Sequence, residues 1–572
     1  MPTKKVNEPL RWTVEEYTNL YQSSRYLSND VRRTLGLLIP VEVYLQDPSV
    51  SEQARLDPDP RISARAEWDP IRAIDIPCEP DLRHGPTSAR ISVIDFDPQT
   101  GRREDPAEWD PDLRRFYVLR KREKIYLSRE HADLPQFHQV NVWAVVQSVL
   151  GMYEQETILG RPLAWAFEGN RLRLRPHVGE MENAMYDRDS RSISFGAFDR
   201  AGKRVFTCLS HDLIAHETGH AVLDGLRPYF SADTSIQTAA FHEFAADLTA
   251  ILAAFLNNEL RFQALQESAG DMQHDQIISG LAEEFGYYSH GRPYLRSAQD
   301  ARGTADVMDN PDPYAWSQVL TGAMFDILKE MLSIRKVKLI ANGRQPTLKG
   351  AFSLACNRFR RAAFQPFDYL PPVDVQFGDY ARAVLRADEI VDPRDDDGYR
   401  AAMRGVFARR GIDCAPQESS ERLNFYAYDI ERLSRSRTDA YLFLNENRRQ
   451  LCIPADQDFN VVDLYQTDKL AWGAGRLARE IVVQYVWRED VELEGREFGI
   501  AQGRRVPLWC GGTLVFDERG NILSWQHKPG MGKQEGGARR RAYSEAVRAR
   551  GAERRDQLLA YQRAKLSAGP QA

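Results

Sequence analysis

Two histidines four residues apart carry the clearest chemistry in the sequence. They are His216 and His220, the ends of the run His-Glu-Thr-Gly-His. On an α-helix this spacing places both imidazoles on one face, where they can reach a single Zn²⁺ ion. Glu217 lies beside them and can act as a general base on water at that ion. The motif predicts metal-assisted hydrolysis, whereas the alternative is a pair of core histidines whose hydrogen bonds are satisfied.

The residues around the motif predict a buried helix. Apolar side chains recur at near-helical spacing, at Leu209, Leu213, Ala221 and Leu223. We expect the helix to end near Gly225, because Pro228 follows shortly after it. Zinc that catalyses hydrolysis also needs a third protein ligand and an open fourth position. That third ligand must come from another element.

A second apolar helix is predicted downstream, and it carries two carboxylates, Glu243 and Asp247. Because they are four residues apart, both project from one face of the helix. A carboxylate pair on an apolar helix is costly unless something compensates its charge. A metal ion bound by Glu243, with Asp247 bonded to a ligating imidazole, would do so. The alternative is that the pair caps the helix or contacts an arginine.

These motifs resemble those of the thermolysin-like zinc metallopeptidases, the gluzincins, whose zinc site consists of two histidines and a glutamate. In that family the H-E-x-x-H helix is followed by a helix carrying N-E-x-x-S-D, which residues 242–247 (His-Glu-Phe-Ala-Ala-Asp) resemble. Asp212 and Asp224 also match family positions. The resemblance implies one role for each motif residue: His216, His220 and Glu243 as Zn²⁺ ligands, Glu217 as general base and Asp247 as the partner of a ligating histidine.

The same resemblance extends to a substrate-binding strand. Residues 182–186, Glu-Asn-Ala-Met-Tyr, are similar to the family's edge strand. In the family that strand pairs with the substrate backbone, which implies a substrate-binding role for Asn183 and Ala184. Residues 137–153 look like the long helix of the family's N-terminal half, and residues 313–328 look like its proton-donor region.

The chain departs from the family at the proton donor. The usual donor histidine is absent. When residues are counted along this segment, Tyr314 occupies the donor position. Tyr229 resembles a second family tyrosine near the site, and a tyrosine can donate a hydrogen bond to an oxyanion. His290, in a polar loop, is the alternative donor. The family's paired calcium site lacks a carboxylate here, so we expect no structural calcium.

The resemblance covers residues 125–411 and implies an α+β fold. We expect a thermolysin-like two-lobed metallopeptidase core, with a β-rich N-terminal lobe and a helical C-terminal lobe, over residues 125–415. Residues 1–124 form an N-terminal extension, either packed or pro-segment-like. A small α+β domain is expected over residues 416–532, followed by a basic helical tail over 533–572. Within the small domain, the sequence predicts a helix over 469–485 and a β-hairpin around the turn Asp-Glu-Arg-Gly at 517–520.

Composition indicates a large globular enzyme. Hydrophobic residues make up 42% of the 572 residues and charged residues 28%, as in ordinary globular proteins. The start of the chain lacks the apolar core of a secretory signal. We therefore expect a cytoplasmic protein, with export by a signal-less route as the alternative. Six scattered cysteines in such a chain favour thiols over disulfides, and Cys208 is most simply a small core residue.

We therefore expect a zinc-dependent endopeptidase that acts on a peptide or protein substrate. The first alternative is a weakly active or inactive metallopeptidase-like scaffold that serves as a protein-binding module, as the missing donor histidine suggests. A second alternative gives the basic tail a nucleic-acid partner, or another acidic partner. The net charge of −6 and the few aromatic residues in the tail disfavour nucleic acid.

Overall fold

The structure is a computed structural model. It describes residues 28–46, 48, 69–79, 81–169, 171–200, 202–232, 234–256, 280–281, 296–297, 300–341, 348–415, 423, 425, 428–470, 477–531 and 545–568. Within this part of the chain, helices and strands are mixed, so the expected α+β class is confirmed. No described helix is long and apolar enough to span a bilayer.

The chain divides into two compact units. The first unit comprises Met1–Met152, Leu163–Gly225 and Ala246–Ser297, and the second comprises Tyr153–Pro162, Leu226–Ala245 and Ala298–Ala572.

The first unit contains most of the strands that surround the histidine motif. In chain order its elements are α1 (Asn29–Thr34), β1 (Leu38–Tyr44), β2 (Ile71–Pro77), β3 (Ile91–Val93), β4 (Glu108–Asp110), β5 (Arg115–Arg120), β6 (Glu123–Tyr126), α2 (Pro135–Glu154), β7 (Leu172–Arg175), β8 (Ala184–Asp187), β9 (Ser192–Phe195), β10 (Ala197–Arg200), β11 (Lys203–Phe206), α3 (His211–Leu226), α4 (Ile236–Ala254), β12 (Gly280–Leu281) and β13 (Arg296–Ser297). Helix α4 begins in the second unit and enters the first at Ala246.

A four-stranded sheet in the first unit has the order β3-β7-β9-β8. Strands β3, β7 and β9 run parallel, and β8 pairs antiparallel with β9 at the edge. Strands β1 and β2 form a separate antiparallel pair, as do β10 and β11, and β4, β5 and β6 form a three-stranded sheet.

Helix α2 is buried on nearly every side, and it is the long helix expected over 137–153. A helix that is buried all round must satisfy any polar side chain it carries. Gln139 accepts a hydrogen bond from the backbone N–H of Ala107 at 2.8 Å. Asn141 donates one to the carbonyl of Cys208 at 2.9 Å. The polar residues of α2 therefore fix the loops around it, including the turn just before α3.

The second unit contains the later helices and a meander sheet. Its elements are α5 (Thr304–Val307), α6 (Pro313–Ala341), α7 (Leu348–Phe364), α8 (Phe377–Val391), α9 (Tyr399–Arg409), α10 (Ile430–Arg435), α11 (Arg437–Glu446), β14 (Asn460–Thr467), β15 (Glu480–Glu492), β16 (Arg505–Asp517), β17 (Ile522–Lys528) and α12 (Glu545–Ala568). Strands β14 to β17 pair antiparallel in sequence order. The expected hairpin is confirmed as β16 and β17.

The predicted helix over 469–485 is wrong. Residues 477–479 are irregular, and β15 begins at Glu480 and pairs with β14 on one side and β16 on the other. Ile481, Val482 and Val483 are all buried. These β-branched residues lose side-chain freedom in a helix and pack well in a central strand.

The basic tail is helical over α12, and one of its arginines is used internally. Arg554 is buried and donates a hydrogen bond to Asp374 at 2.7 Å and another to the carbonyl of Trp509 at 2.6 Å. This arginine therefore anchors the helix within its own unit. The rest of the tail, residues 533–544 and 569–572, lies outside the described part of the chain.

Candidate metal centre

The two motif histidines face each other on α3. Their Nε2 atoms lie 3.2 Å apart, and the ring planes are nearly perpendicular at 87°. One ring nitrogen of each histidine and a carboxylate oxygen of Glu217 all lie within 4.8 Å of one another. Three Lewis-basic atoms this close together can hold a metal ion. The expected helix is confirmed, and it ends at Leu226, one residue beyond the predicted end.

Gly219, inside the motif, allows α3 and α4 to approach closely. A Cβ atom at this position would lie 2.9 Å from the Cα of Ala246 and 2.7 Å from the Oγ1 of Thr249. A backbone atom at that distance cannot move aside easily, so a larger residue would push the helices apart. No local pattern singled out this glycine, because its role depends on a neighbouring helix.

The close approach brings Asp247 of α4 to His216. Nδ1 of His216 lies 3.1 Å from Oδ1 of Asp247, whose side chain is fully buried. A carboxylate at Nδ1 holds the proton on that nitrogen and leaves the Nε2 lone pair available for a metal ion. The structure therefore brings Asp247 to one of the two histidines that the resemblance names as ligands.

Glu217 is held by the edge strand. Its Oε2 atom accepts a hydrogen bond of 2.6 Å from the backbone N–H of Tyr186 in β8. The carboxylate is therefore tied directly to the strand expected to bind substrate. This contact joins residues that are 31 positions apart, so no local pattern in the sequence could have revealed it.

A second link between α3 and β8 forms at Asp224. Oδ2 of Asp224 accepts hydrogen bonds of 2.7 Å from the hydroxyl of Tyr186 and from Nε of Arg188. Burial raises the pKa of Tyr186 to about 12, so its hydroxyl stays protonated and acts as a donor. Asp224 was noted in the sequence, but its two partners were missed. Tyr186 ends the 182–186 segment that resembles the edge strand and Arg188 lies two residues beyond it, which is the only signal that could have pointed to these contacts.

The two substrate-binding candidates lie at the start of the edge strand. Ala184 is buried and is the first residue of β8, and Asn183 precedes it with an exposed side chain. The carbonyl of Asn183 accepts a hydrogen bond from the N–H of Gly196 at 3.1 Å. Their expected edge position is confirmed, and their contact with substrate stays a prediction.

The remaining candidates belong to the second unit. Glu243 lies on α4, four residues before Asp247 and thus on the same face of that helix. Tyr229 packs against Trp509, with ring centroids 4.7 Å apart, and burial raises its pKa. Tyr314, at the start of α6, is 50% exposed. Their roles as ligand and donors stay predictions, and His290 lies outside the described residues.

No protein-family model matches the chain, and no curated protein matches it. Among solved structures, the chain is similar to the precursor of protealysin, a metalloproteinase from Serratia proteamaculans. The sequence identity is 12% and the TM-score is 0.35, and the match covers 65% of this chain and 99% of that chain. A likeness of this size carries no argument about family, so the case for function rests on the geometry of the site.

Proposed function

We propose that the chain is a zinc-dependent endopeptidase. The observation that carries the proposal is the pair of Nε2 atoms of His216 and His220, 3.2 Å apart, with Asp247 at the far nitrogen of His216. This arrangement presents two neutral imidazoles to one point, as a zinc site requires. Glu243 supplies the third ligand, since it projects from the same face of α4 as Asp247.

A bound Zn²⁺ supplies Lewis acidity, which lowers the pKa of water and polarises a peptide carbonyl. Glu217 would take a proton from the attacking water and later pass it to the leaving amine. The N–H of Tyr186 holds Oε2 of Glu217 and so fixes the position of the carboxylate for this proton transfer. Tyr314 or Tyr229 donates a hydrogen bond to the oxyanion of the tetrahedral intermediate.

The edge strand β8 supports an extended peptide substrate. An edge strand can add a further strand through backbone hydrogen bonds, and that mode of binding suits a peptide better than a small molecule. Asn183 and Ala184 at the start of β8 take this role. Because Glu217 is bonded to the same strand, a peptide added there lies along the strand that positions the base.

The test is the pair of variants Glu217→Gln and Glu130→Gln. Glu217→Gln is expected to keep metal bound at His216 and His220 and to lower peptide hydrolysis about 10²- to 10⁴-fold, because it removes the general base. Glu130 is an exposed carboxylate of the same unit, so its variant should cleave casein at the wild-type rate. Chelator should abolish cleavage in both the wild type and the control.

Two outcomes would contradict the proposal. Unchanged hydrolysis by Glu217→Gln would remove Glu217 from the mechanism. Stoichiometric metal without any cleavage by the wild type would favour the alternative, a metallopeptidase-like scaffold that acts as a protein-binding module.

A further inference from the structure

A second group of metal-ligand side chains lies in the first unit, apart from the H-E-x-x-H motif. His138 lies on α2, His177 follows β7, and Cys208 lies in the 3₁₀ turn Thr207–Leu209 that precedes α3. Nδ1 of His138 is 2.9 Å from Nε2 of His177. Sγ of Cys208 is 3.7 Å from the first nitrogen and 4.0 Å from the second. Three potential ligand atoms therefore converge at one point.

The outer nitrogen of each imidazole faces a strong acceptor. Nε2 of His138 lies 3.0 Å from the carbonyl oxygen of Ala132, and Nδ1 of His177 lies 2.9 Å from Oδ1 of Asp95. Both contacts require the proton to sit on the outer nitrogen. In two neutral rings the inner nitrogens then present only lone pairs to each other at 2.9 Å. Such an arrangement is repulsive unless a cation lies between them.

The surroundings hold these groups in place. Asp95 is buried, and its Oδ2 accepts a hydrogen bond of 3.0 Å from Gln139. The ring of Phe206 contacts both imidazoles edge-on, with centroids 5.0 and 5.7 Å away. Carboxylate and carbonyl partners on the outer nitrogens are typical of histidines that bind metal ions. The cluster thus has both the ligands and the supporting partners of a built site.

We propose that Nδ1 of His138, Nε2 of His177 and Sγ of Cys208 bind a second transition-metal ion, with Zn²⁺ as the ion expected. Mixed imidazole and thiolate ligands suit Zn²⁺. Tetrahedral zinc, with bonds of about 2.0 Å to nitrogen and about 2.3 Å to sulfur, separates its ligand atoms by roughly 3.3 to 3.6 Å. Each observed spacing lies within about 0.5 Å of that range. On binding, the Cys208 thiol releases its proton to solvent and the thiolate coordinates the ion.

The location suggests what the ion does. Cys208 lies three residues before the first residue of α3, and its carbonyl accepts the hydrogen bond from Asn141 of α2. A metal ion at Cys208 would therefore fasten the start of the motif helix to α2 and to the end of β7. Its role is structural, because the cluster shares no ligand with the proposed catalytic site.

A proton in place of the metal is the competing explanation. One extra proton could bridge the inner nitrogens, with the positive charge balanced by Asp95. It would leave Cys208 without a function in the cluster, whereas a metal ion uses all three side chains. The two explanations differ in one measurable respect, since only the metal makes a bond to sulfur.

The experiment replaces zinc by Co²⁺ in the full-length protein and measures absorbance. Thiolate bonded to Co²⁺ gives a near-ultraviolet charge-transfer band, and the His216, His220 and Glu217 cluster contains no sulfur. We expect the band in the wild type and in His220→Ala. It should be absent from Cys208→Ser and from His177→Gln. Cys356→Ser, which alters a buried cysteine of the second unit, is the matched control and should keep the band.

Metal content gives an independent readout that separates this proposal from the proposed function. The wild type should hold two zinc ions per chain, and Cys208→Ser and His220→Ala should hold one each. If Cys208→Ser lost zinc and His220→Ala did not, the second site would be supported and the first would be overturned. A wild-type protein without the cobalt band, or a band that survives Cys208→Ser, would overturn the second site.

Discussion

Each of the two units buries a group of charged or titratable side chains, and the two groups are balanced in different ways. In the second unit Asp368 and Glu480 are buried with two cations. Lys469 lies 2.8 Å from Asp368 and 2.7 Å from Glu480, and Arg161 lies 2.9 Å from Asp368. Each carboxylate has a cationic partner from the chain itself. Tyr369 and Tyr465 add hydrogen bonds to the same two carboxylates.

The groups in the first unit instead bring imidazole nitrogens together with other potential metal ligands. Around α3, the carboxylates of Glu217 and Asp247 accompany two imidazoles that are neutral when they bind metal. Around His138, two imidazoles and a thiol converge beside Asp95. Lewis bases that converge on one point repel one another. A metal ion bound at that point turns the same arrangement into a favourable one. Metal binding is therefore expected to stabilise the groups around α3 and around His138, and to leave the group of Asp368 and Glu480 unchanged.

The largest expected effect is in the second unit, from Lys469→Met. This change removes the cation shared by Asp368 and Glu480, and breaking a buried ion pair from one side costs about 3–5 kcal/mol. The free energy of unfolding should fall by that amount, as measured by hydrogen exchange at the amides of β15. Arg488→Met, which breaks an exposed pair with Asp490 in the same unit, should cost less than about 1 kcal/mol.

The effect of Lys469→Met should be the same with and without chelator, because this group needs no metal. If added zinc restored the stability of the variant, the group around Asp368 and Glu480 would depend on metal. The proposed difference between the two units would then be wrong.

Acid should produce the next largest effect, again in the second unit. Burial would raise the pKa of Asp368, but Arg161 and Lys469 lower it from 3.8 to about 2. The native state therefore binds this proton more weakly than the unfolded chain does. The resulting stabilisation, on the order of 2 to 3 kcal/mol, is present above pH 4 and is lost as pH falls from about 4 to 2.

Denaturant unfolding of the wild type and Asp368→Asn across this pH range isolates the effect. The stability difference between the two proteins should shrink as pH falls, because only the wild type loses the charge. A difference that stays constant from pH 5 to pH 2 would contradict the depressed pKa of Asp368.

The sequence predicted what local patterns encode. Helices α3 and α4 followed from apolar spacing and from the proline beyond Gly225, and the β16–β17 hairpin followed from its turn residues. The helix expected over 469–485 failed because burial on both faces of β15 removed the alternation that marks a strand. The His138, His177 and Cys208 group was invisible because its members lie 31 to 70 residues apart. Long-range contacts of this kind depend on how the sheet and α2 pack, which no short motif records.

The smallest expected effect tests the first unit, through Asp247→Asn. The amide keeps the size of the side chain and can still accept a hydrogen bond from Nδ1 of His216, but it removes the negative charge. Loss of such a partner weakens zinc binding about 10- to 100-fold. Chelator competition measures the zinc dissociation constant of the motif site. The measurement is best made in the Cys208→Ser variant, in which only the motif site is expected to bind zinc.

Asp199→Asn is the matched control, since Asp199 lies in the same unit and is 72% exposed, and it should bind zinc as the wild type does. Lys469→Met should also leave the zinc dissociation constant unchanged, because its partners are carboxylates of the second unit. If Asp247→Asn bound zinc as tightly as the wild type, the buried carboxylate would not tune His216. Its position beside the imidazole would then serve packing between α3 and α4, and the contrast between the two units would weaken.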